Sequence, residues 1–304
     1  MVLLPKQSLK KEKRNSLRIF NFLFLCILPC IILLNFSVRS VYGIDTLSRG
    51  IEYYNKGLIK RAEDSFKDAL MQNSRSETAY YYLGVISIMR DEYDQAIDYL
   101  IRLTEYNYFY KGVHYCLGIA YKKKNDFQKA LQEFDRSIKN YPTAKAYFNI
   151  GVIHSQRHEY DQAVYAFKKS LSLDRNNVYS RYNLANIYES QGKYRDALTE
   201  YNKVLRKRPK YISAYYRKGR ALMAMKRYNE AVIEFMRTIE LDENFSSGYL
   251  GVAMAYEELK RVDDANTYYK KYAQKETNEI KRSQALQKAH DVLYEVKFVD
   301  DGAL

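Results

Sequence analysis

An alanine recurs along this chain at Ala62, Ala96, Ala130, Ala163, Ala197, Ala231 and Ala265, in steps of 34 residues with one step of 33 between Ala130 and Ala163. A period of that length, held over seven copies, leaves few architectures open. Each copy is too short to bury a core alone and must stack on its neighbours. Three further columns keep the same register. Twelve residues before each alanine stands a small residue: Gly50, Gly84, Gly118, Gly151, Ala185, Gly219 and Ala253. Four after it stands a large one: Phe66, Leu100, Phe134, Phe167, Tyr201, Phe235 and Tyr269. Three before it stands another: Ile59, Tyr93, Phe127, Tyr160, Tyr194, Tyr228 and Val262.

The copy spanning Lys111–Thr143 shows what each unit is. Leu117, Gly118 and Tyr121 fall on one face of a first helix, and Ala130, Phe134 and Ile138 on one face of a second. Lys124-Asn125-Asp126 is a polar turn between them, and Pro142 stops the second helix because it lacks an N–H and clashes with the preceding turn. Helices packed about 8–10 Å apart need small side chains where they cross. The Gly/Ala and Ala columns supply that crossing, and the large columns fill the space around it.

The pattern resembles the tetratricopeptide repeat, with its Leu-Gly-x-x-Tyr, Ala-x-x-x-Phe and Pro landmarks. The best matches are Leu117-Gly118 and Tyr121 with Ala130, Phe134 and Pro142, and Leu184-Ala185 and Tyr188 with Ala197, Tyr201 and Pro209. The resemblance covers about Gly43 to Glu279. The chain departs from the pattern in having no Trp, whose place its 32 tyrosines largely take. Lys218 stands where a leucine is usual. A HEAT-like array would repeat every ~40–47 residues and does not fit this period. The resemblance implies an all-α fold, an α-solenoid of seven helix-turn-helix repeats over 44–279. A polar-faced capping helix over 280–297 and a tail over 298–304 follow. Ile280, Leu286, Ala289, Leu293 and Val296 form the stripe expected to pack in the capping helix.

The N-terminus is of another kind. Residues 1–18 carry six basic residues against one acidic, and residues 19–38 are uncharged and mostly apolar. Twenty helical residues span about 30 Å, the thickness of a bilayer core. This run is expected to be a transmembrane anchor or uncleaved signal. Its basic flank stays cytoplasmic and the repeats lie on the outer, periplasmic or extracytoplasmic side, after a linker over 39–43. The alternative is cleavage near Gly43, releasing a soluble exported protein. Cys26 and Cys30 fall inside the apolar run and lack the small preceding residue of a lipoprotein site, which leaves Cys116 alone in the repeats.

Two surfaces carry the expectation of function, which is to hold a partner protein or peptide in the concave face of the solenoid. The residue three before the small column is expected to point inward: Tyr81, Tyr115, Phe148, Tyr182, Tyr216 and Leu250. One after the column come Val85, Ile119, Val152, Asn186, Arg220 and Met254. Tyrosine offers a large ring with a hydrogen-bonding tip, suited to protein interfaces. The same rings could equally fill space between repeats. Related repeats that grip a C-terminal carboxylate carry Lys and Asn on the inner face, and only Asn186 and Arg220 resemble part of such a clamp. The second surface is charge. The chain's net charge is +14, and between Tyr201 and Asn229 there are ten basic residues and no acidic one. Arg206, Lys207, Arg208, Lys210, Arg217 and Lys218 are read as one basic patch for an acidic partner or anionic lipid headgroups. Neighbouring acids such as Glu234 and Glu240 offer the alternative of a salt-bridged surface.

Enzymatic chemistry finds no motif. His154 and His158 lie four apart but lack the glutamate of a metalloprotease helix and a third ligand, so no metal or cofactor is expected. No nucleic-acid-binding signature is present. A self-assembling structural protein is the remaining alternative.

Overall fold

The computed structural model describes residues 46–301. The basic N-terminus, the apolar run 19–38, the linker with its cleavage site and the last three residues of the tail lie outside the described residues. Every described element is helical, with no strand among the described residues. The helices come in pairs: α1 (46–55) with α2 (Ile59–Gln72), α3 (Glu77–Met89) with α4 (Tyr93–Tyr106), α5 (Val113–Lys123) with α6 (Phe127–Asn140), and α7 (Ala144–Gln156) with α8 (Tyr160–Leu173). Next come α9 (Val178–Ser190) with α10 (Tyr194–Lys207), α11 (Ile212–Ala224) with α12 (Tyr228–Leu241), and α13 (Ser246–Glu258) with α14 (Val262–Lys275). A last helix, α15, runs over Glu279–Asp301. Among the described residues no helix is long and apolar enough to cross a membrane.

The helices form two compact units, divided within α6 between Ser137 and Ile138. In the first unit α3 packs on α2, α4 and α5. In the second, each first helix packs on its own second helix and on the next first helix, as α7 on α8 and α9, and α11 on α12 and α13. The four sequence columns meet inside each pair. A methyl group built on Gly118 would stand 2.6 Å from the Phe134 ring, so only glycine lets α5 approach that side chain. The alanine column is fully buried from Ala62 to Ala265.

A fifth column emerges in the turns. Gly57, Asp91, Asn125, His158, Gly192, Lys226 and Lys260 all have positive φ, between 59° and 73°, and each lies five residues before its alanine. The next residue donates its N–H back to the end of the first helix, as Asp126 to Tyr121 (2.9 Å) and Arg227 to Leu222 (2.9 Å). This left-handed cap ends every first helix and aims the chain into the second. Glycine, asparagine and aspartate tolerate the conformation. His158, Lys226 and Lys260 adopt it at a cost of about 1 kcal/mol each, which the packing on either side offsets.

The capping helix meets the expected stripe at Ala289 and departs from it at Ile280 and Leu286, while the side chains of Leu293 and Val296 lie outside the described residues. Ile280 and Leu286 are exposed, at 71% and 46%, while Ala285, Ala289 and Val292 are buried against Tyr269 and Tyr272 of α14 and their neighbours. The face is chosen by size rather than hydrophobicity. α15 lies close enough to α14 that small side chains fit the contact and larger ones turn outward.

Candidate functional site

Each first-helix aromatic sits half-buried on the large-column side chain of its own repeat. Tyr115 lies 5.9 Å from Phe134 in the first unit; Phe148 lies 6.0 Å from Phe167, Tyr182 6.0 Å from Tyr201 and Tyr216 5.7 Å from Phe235 in the second. A second contact reaches the turn before the next first helix. Tyr81 meets Tyr110 at 5.2 Å, Tyr182 meets Tyr211 at 5.0 Å and Tyr216 meets Phe245 at 5.5 Å. The packing role considered from the sequence is thus present at these rings. One side joins repeats, and the rings remain partly exposed. Tyr81 also accepts a weak bond from the Cys116 thiol (3.9 Å), and burial raises both groups, the thiol to about 11, so Cys116 is held as an inert thiol.

In the second unit the polar residues of this face form a network. The Tyr201 hydroxyl, in a fully buried side chain, donates to Glu189 (2.7 Å) and lies equally close to the Asn186 side-chain oxygen (2.7 Å). Burial and the Glu189 carboxylate both hold this phenol protonated far above the usual range. Arg217 and Arg220 of the next repeat approach Glu189 at 3.5 and 3.6 Å. Glu189 thus engages both arginines, although Arg220 keeps a side chain 51% exposed. The arrangement recurs two repeats on. Tyr269 donates to Glu257 (2.5 Å), which pairs with Lys288 of α15 (2.7 Å). These two repeats are the ones with alanine in the small column, at Ala185 and Ala253, and tyrosine in the large one.

The face continues into a cleft of about 610 Å³ bounded by α13, α14 and α15. Leu250 and Met254 form its apolar part; Tyr272, Glu276 and Lys281 give it polar edges. Burial, aided by a hydrogen bond to Glu276, pushes the Tyr272 phenol up to about 12. Tyr272, Glu276 and Lys281 escaped the sequence reading. The signal was available in α15, which stands where an eighth first helix would begin.

The residues of the basic patch divide among several partners, although Arg206 and Lys218 line one cleft together with Glu234. Arg217 and Lys218 are adjacent in sequence but point to different elements, Arg217 to Glu189 and Lys218 to Glu234 on α12 (2.7 Å). Arg208 stacks on the Tyr179 ring, 4.9 Å from its centroid, and donates to its hydroxyl (3.0 Å). Arg206 also lines a second cleft, which it shares with Lys207, Arg175, Arg181 and Lys203, and Lys210 is exposed outside it. His154 bonds Glu159 (2.5 Å), and His158, in its left-handed turn, bonds Tyr160 (3.0 Å).

Comparison with known proteins agrees with this architecture. Models of the tetratricopeptide repeat match residues 47–107, 115–178 and 248–278, and a model of anaphase-promoting complex, cyclosome, subunit 3 matches 156–238. The chain is 27% identical over 134 residues to anaphase-promoting complex subunit 3 of Schizosaccharomyces pombe, a match over 43% of this chain and 20% of that protein. It is 24% identical over 136 residues to a TPR repeat-containing protein of Methanocaldococcus jannaschii, over 44% of this chain and 24% of that protein. The matches therefore span a quarter or less of these relatives. Among solved structures, the C-terminal part of a TPR repeat-containing protein from Cytophaga hutchinsonii aligns with a TM-score of 0.67 at 18% identity, over 81% of this chain and 99% of that one. YrrB, described as a TPR protein with an unusual peptide-binding site, aligns with a TM-score of 0.53 at 15% identity, over 60% of this chain and 95% of that one.

Proposed function

This chain belongs to the tetratricopeptide repeat family, and from that premise we propose that it is a protein-interaction scaffold whose second unit holds a peptide segment of a partner. The peptide lies across the open sides of Tyr182 and Tyr216 and ends in the cleft beside Leu250 and Met254. The observation that carries this reading is the row of half-buried rings leading to that cleft. The rings are fixed from beneath by Tyr201 and Phe235, so binding costs little side-chain entropy, and a fixed aromatic is the usual energetic centre of an interface. Asn186 and Arg220 supply polar contacts at the edge, with Arg220 already partly engaged by Glu189. Such a scaffold needs no catalytic group of its own.

The test uses the full chain and peptides selected on it from a displayed random library. The double variant Tyr182→Ala/Tyr216→Ala is expected to weaken the selected peptides more than about 30-fold while helix content is kept, on the scale of two interface hot spots. Tyr182→Phe/Tyr216→Phe, which preserves the packing, should bind within a few-fold of the natural chain. Equal affinity of the alanine variant removes this site.

The same reading keeps the N-terminal apolar run as a membrane tether, supported by its length and its basic flank, with the repeats on the outer side. Intact full-length protein should stay with the membrane pellet on alkaline extraction. Recovery in the supernatant, with Ile44 as its first residue, would instead establish the released form.

A further inference from the structure

Regrouping the basic residues in three dimensions gives a site the linear patch did not contain. A cleft of about 390 Å³ in the second unit is lined by Arg175 and Asn176 in the α8–α9 turn, Val178 and Arg181 on α9, and Lys203, Arg206 and Lys207 on α10. It shares no residue with the ring-lined face. Five cationic side chains converge on it. Glu200 answers two of them, accepting from Arg181 (2.7 Å) and Lys203 (2.6 Å). Asp174, in the same turn, uses its carboxylate to accept the Asn176 N–H (3.0 Å). Arg175, Arg206 and Lys207 make no ion pair among the described residues.

Elsewhere in the second unit the basic side chains closest to the ring-lined face find acids: Arg217 and Arg220 find Glu189, and Lys218 finds Glu234. What sets Arg175, Arg206 and Lys207 apart is that three such charges line one concave place. Arg206 and Lys207 lie in the last turn of α10, where they also complement the carbonyl end of the helix. That role needs no cleft and no Arg175 brought in from another turn. Arg181 is held rigidly by Glu200 and by a bond from its second guanidinium nitrogen to the Arg175 carbonyl (3.0 Å), which fixes one wall. Guanidinium forks and ammonium groups arranged around a small volume match an oxyanion with several charged oxygens. Val178 gives the cleft a low-polarity floor, which strengthens each charge interaction above it.

We propose that this cleft is a binding site for a multiply charged phosphate group, with Arg175, Arg206 and Lys207 as its ligands and Arg181 and Lys203 as the supporting wall. Free phosphates and the headgroup of an anionic lipid share that chemistry, and the experiment separates them.

Inorganic pyrophosphate is titrated into the full chain at low ionic strength and followed by calorimetry. A saturable single site is expected. Arg206→Gln/Lys207→Gln should weaken it at least about tenfold, the scale of one or two lost charge-assisted bonds. Lys168→Gln/Lys270→Gln removes the same charge from exposed positions of the same unit and should change affinity less than about twofold. Both pairs are exposed, so neither threatens the fold. In the second arm the protein is sedimented with phosphatidylcholine vesicles with and without phosphatidic acid. Binding of pyrophosphate that depends on Arg206 and Lys207 supports a soluble phosphate ligand. Phosphatidic-acid sedimentation that depends on them, without pyrophosphate binding, assigns the same site to a headgroup. If the cleft variant and the charge-matched control behave alike in both arms, the attraction is only net charge and the site is overturned. Because the ring-lined face is intact in both variants, selected-peptide binding should be unchanged, and the outcome here is independent of the peptide reading.

Discussion

Replacing Phe235 with alanine is expected to destabilise the second unit by about 3–5 kcal/mol, the range for emptying an aromatic site in a closed core. Phe235 is buried, and its ring serves two notches at once. Methyl groups built on Gly219 of α11 and on Gly251 of α13 would both stand 2.6 Å from it. The ring is thus the common wedge between its own repeat and the next, and α12 cannot close over the void without moving both neighbours. Urea unfolding followed by helix signal should shift to a lower midpoint with an early phase. Amide exchange should speed up first in α11 and α13. Tyr216 rests on the same ring, so the ring-lined face should loosen in step. The opposite error has the opposite geometry. Gly251→Ala forces a methyl into the ring and should cost about 1–3 kcal/mol by overpacking. Adding Phe235→Leu to it should recover part of that loss. An unfolding midpoint for Phe235→Ala within error of the natural chain would mean that the notches are not where the repeats are joined.

His114→Leu is expected to cost the first unit about 2–4 kcal/mol, although leucine is similar in volume and more apolar. His114 is 4% exposed. Its Nδ1 lies 2.7 Å from the Glu133 carboxylate and its Nε2 lies 3.0 Å from the Tyr108 carbonyl. Both ring nitrogens therefore have buried partners that leucine cannot replace. Leucine leaves the buried Glu133 carboxylate with Arg136 as its remaining ion-pair partner, and that arginine is about half exposed. It also frees the turn that carries Tyr108 and Phe109. The test is a double-mutant cycle read by amide exchange in α5. His114→Leu/Glu133→Leu should be distinctly more stable than the sum of the single changes, because it removes the stranded charge along with its partner. Additive losses would show that the two side chains are not a unit.

The parts of the fold that were legible in the sequence are those where residue identity and geometry coincide. Gly118 and Phe134 announce a close crossing because a missing side chain on one helix makes room for a large ring on the other. The left-handed turns were legible only in part. Gly57, Asp91, Asn125 and Gly192 suit the conformation, whereas His158, Lys226 and Lys260 take it because the helices on either side leave no other path. Arg217 and Lys218 read as one patch because they are neighbours in a string. Each residue advances the helix by more than a quarter turn, and that sends them to different carboxylates. Arg175 joins Arg206 and Lys207 across about thirty residues, a distance set by the repeat itself. The stripe expected for α15 holds at Ala289 and fails at Ile280 and Leu286, because apolarity alone does not say which side of a helix meets its neighbour.

The alanine, tyrosine and glutamate that travel together at Ala185, Tyr201 and Glu189, and again at Ala253, Tyr269 and Glu257, carry a consequence for how such a chain can diversify. A phenol placed in the core demands an acceptor, and the acceptor it finds is an acid at the rim. The rim acid then recruits a cation from the following helix. The outer electrostatic pattern of these two repeats is therefore written from the inside, by the choice between Phe and Tyr at a position no visitor touches. Grafting a new specificity onto either repeat would have to begin by exchanging that hidden ring, after which the rim glutamate and its cations become free to vary.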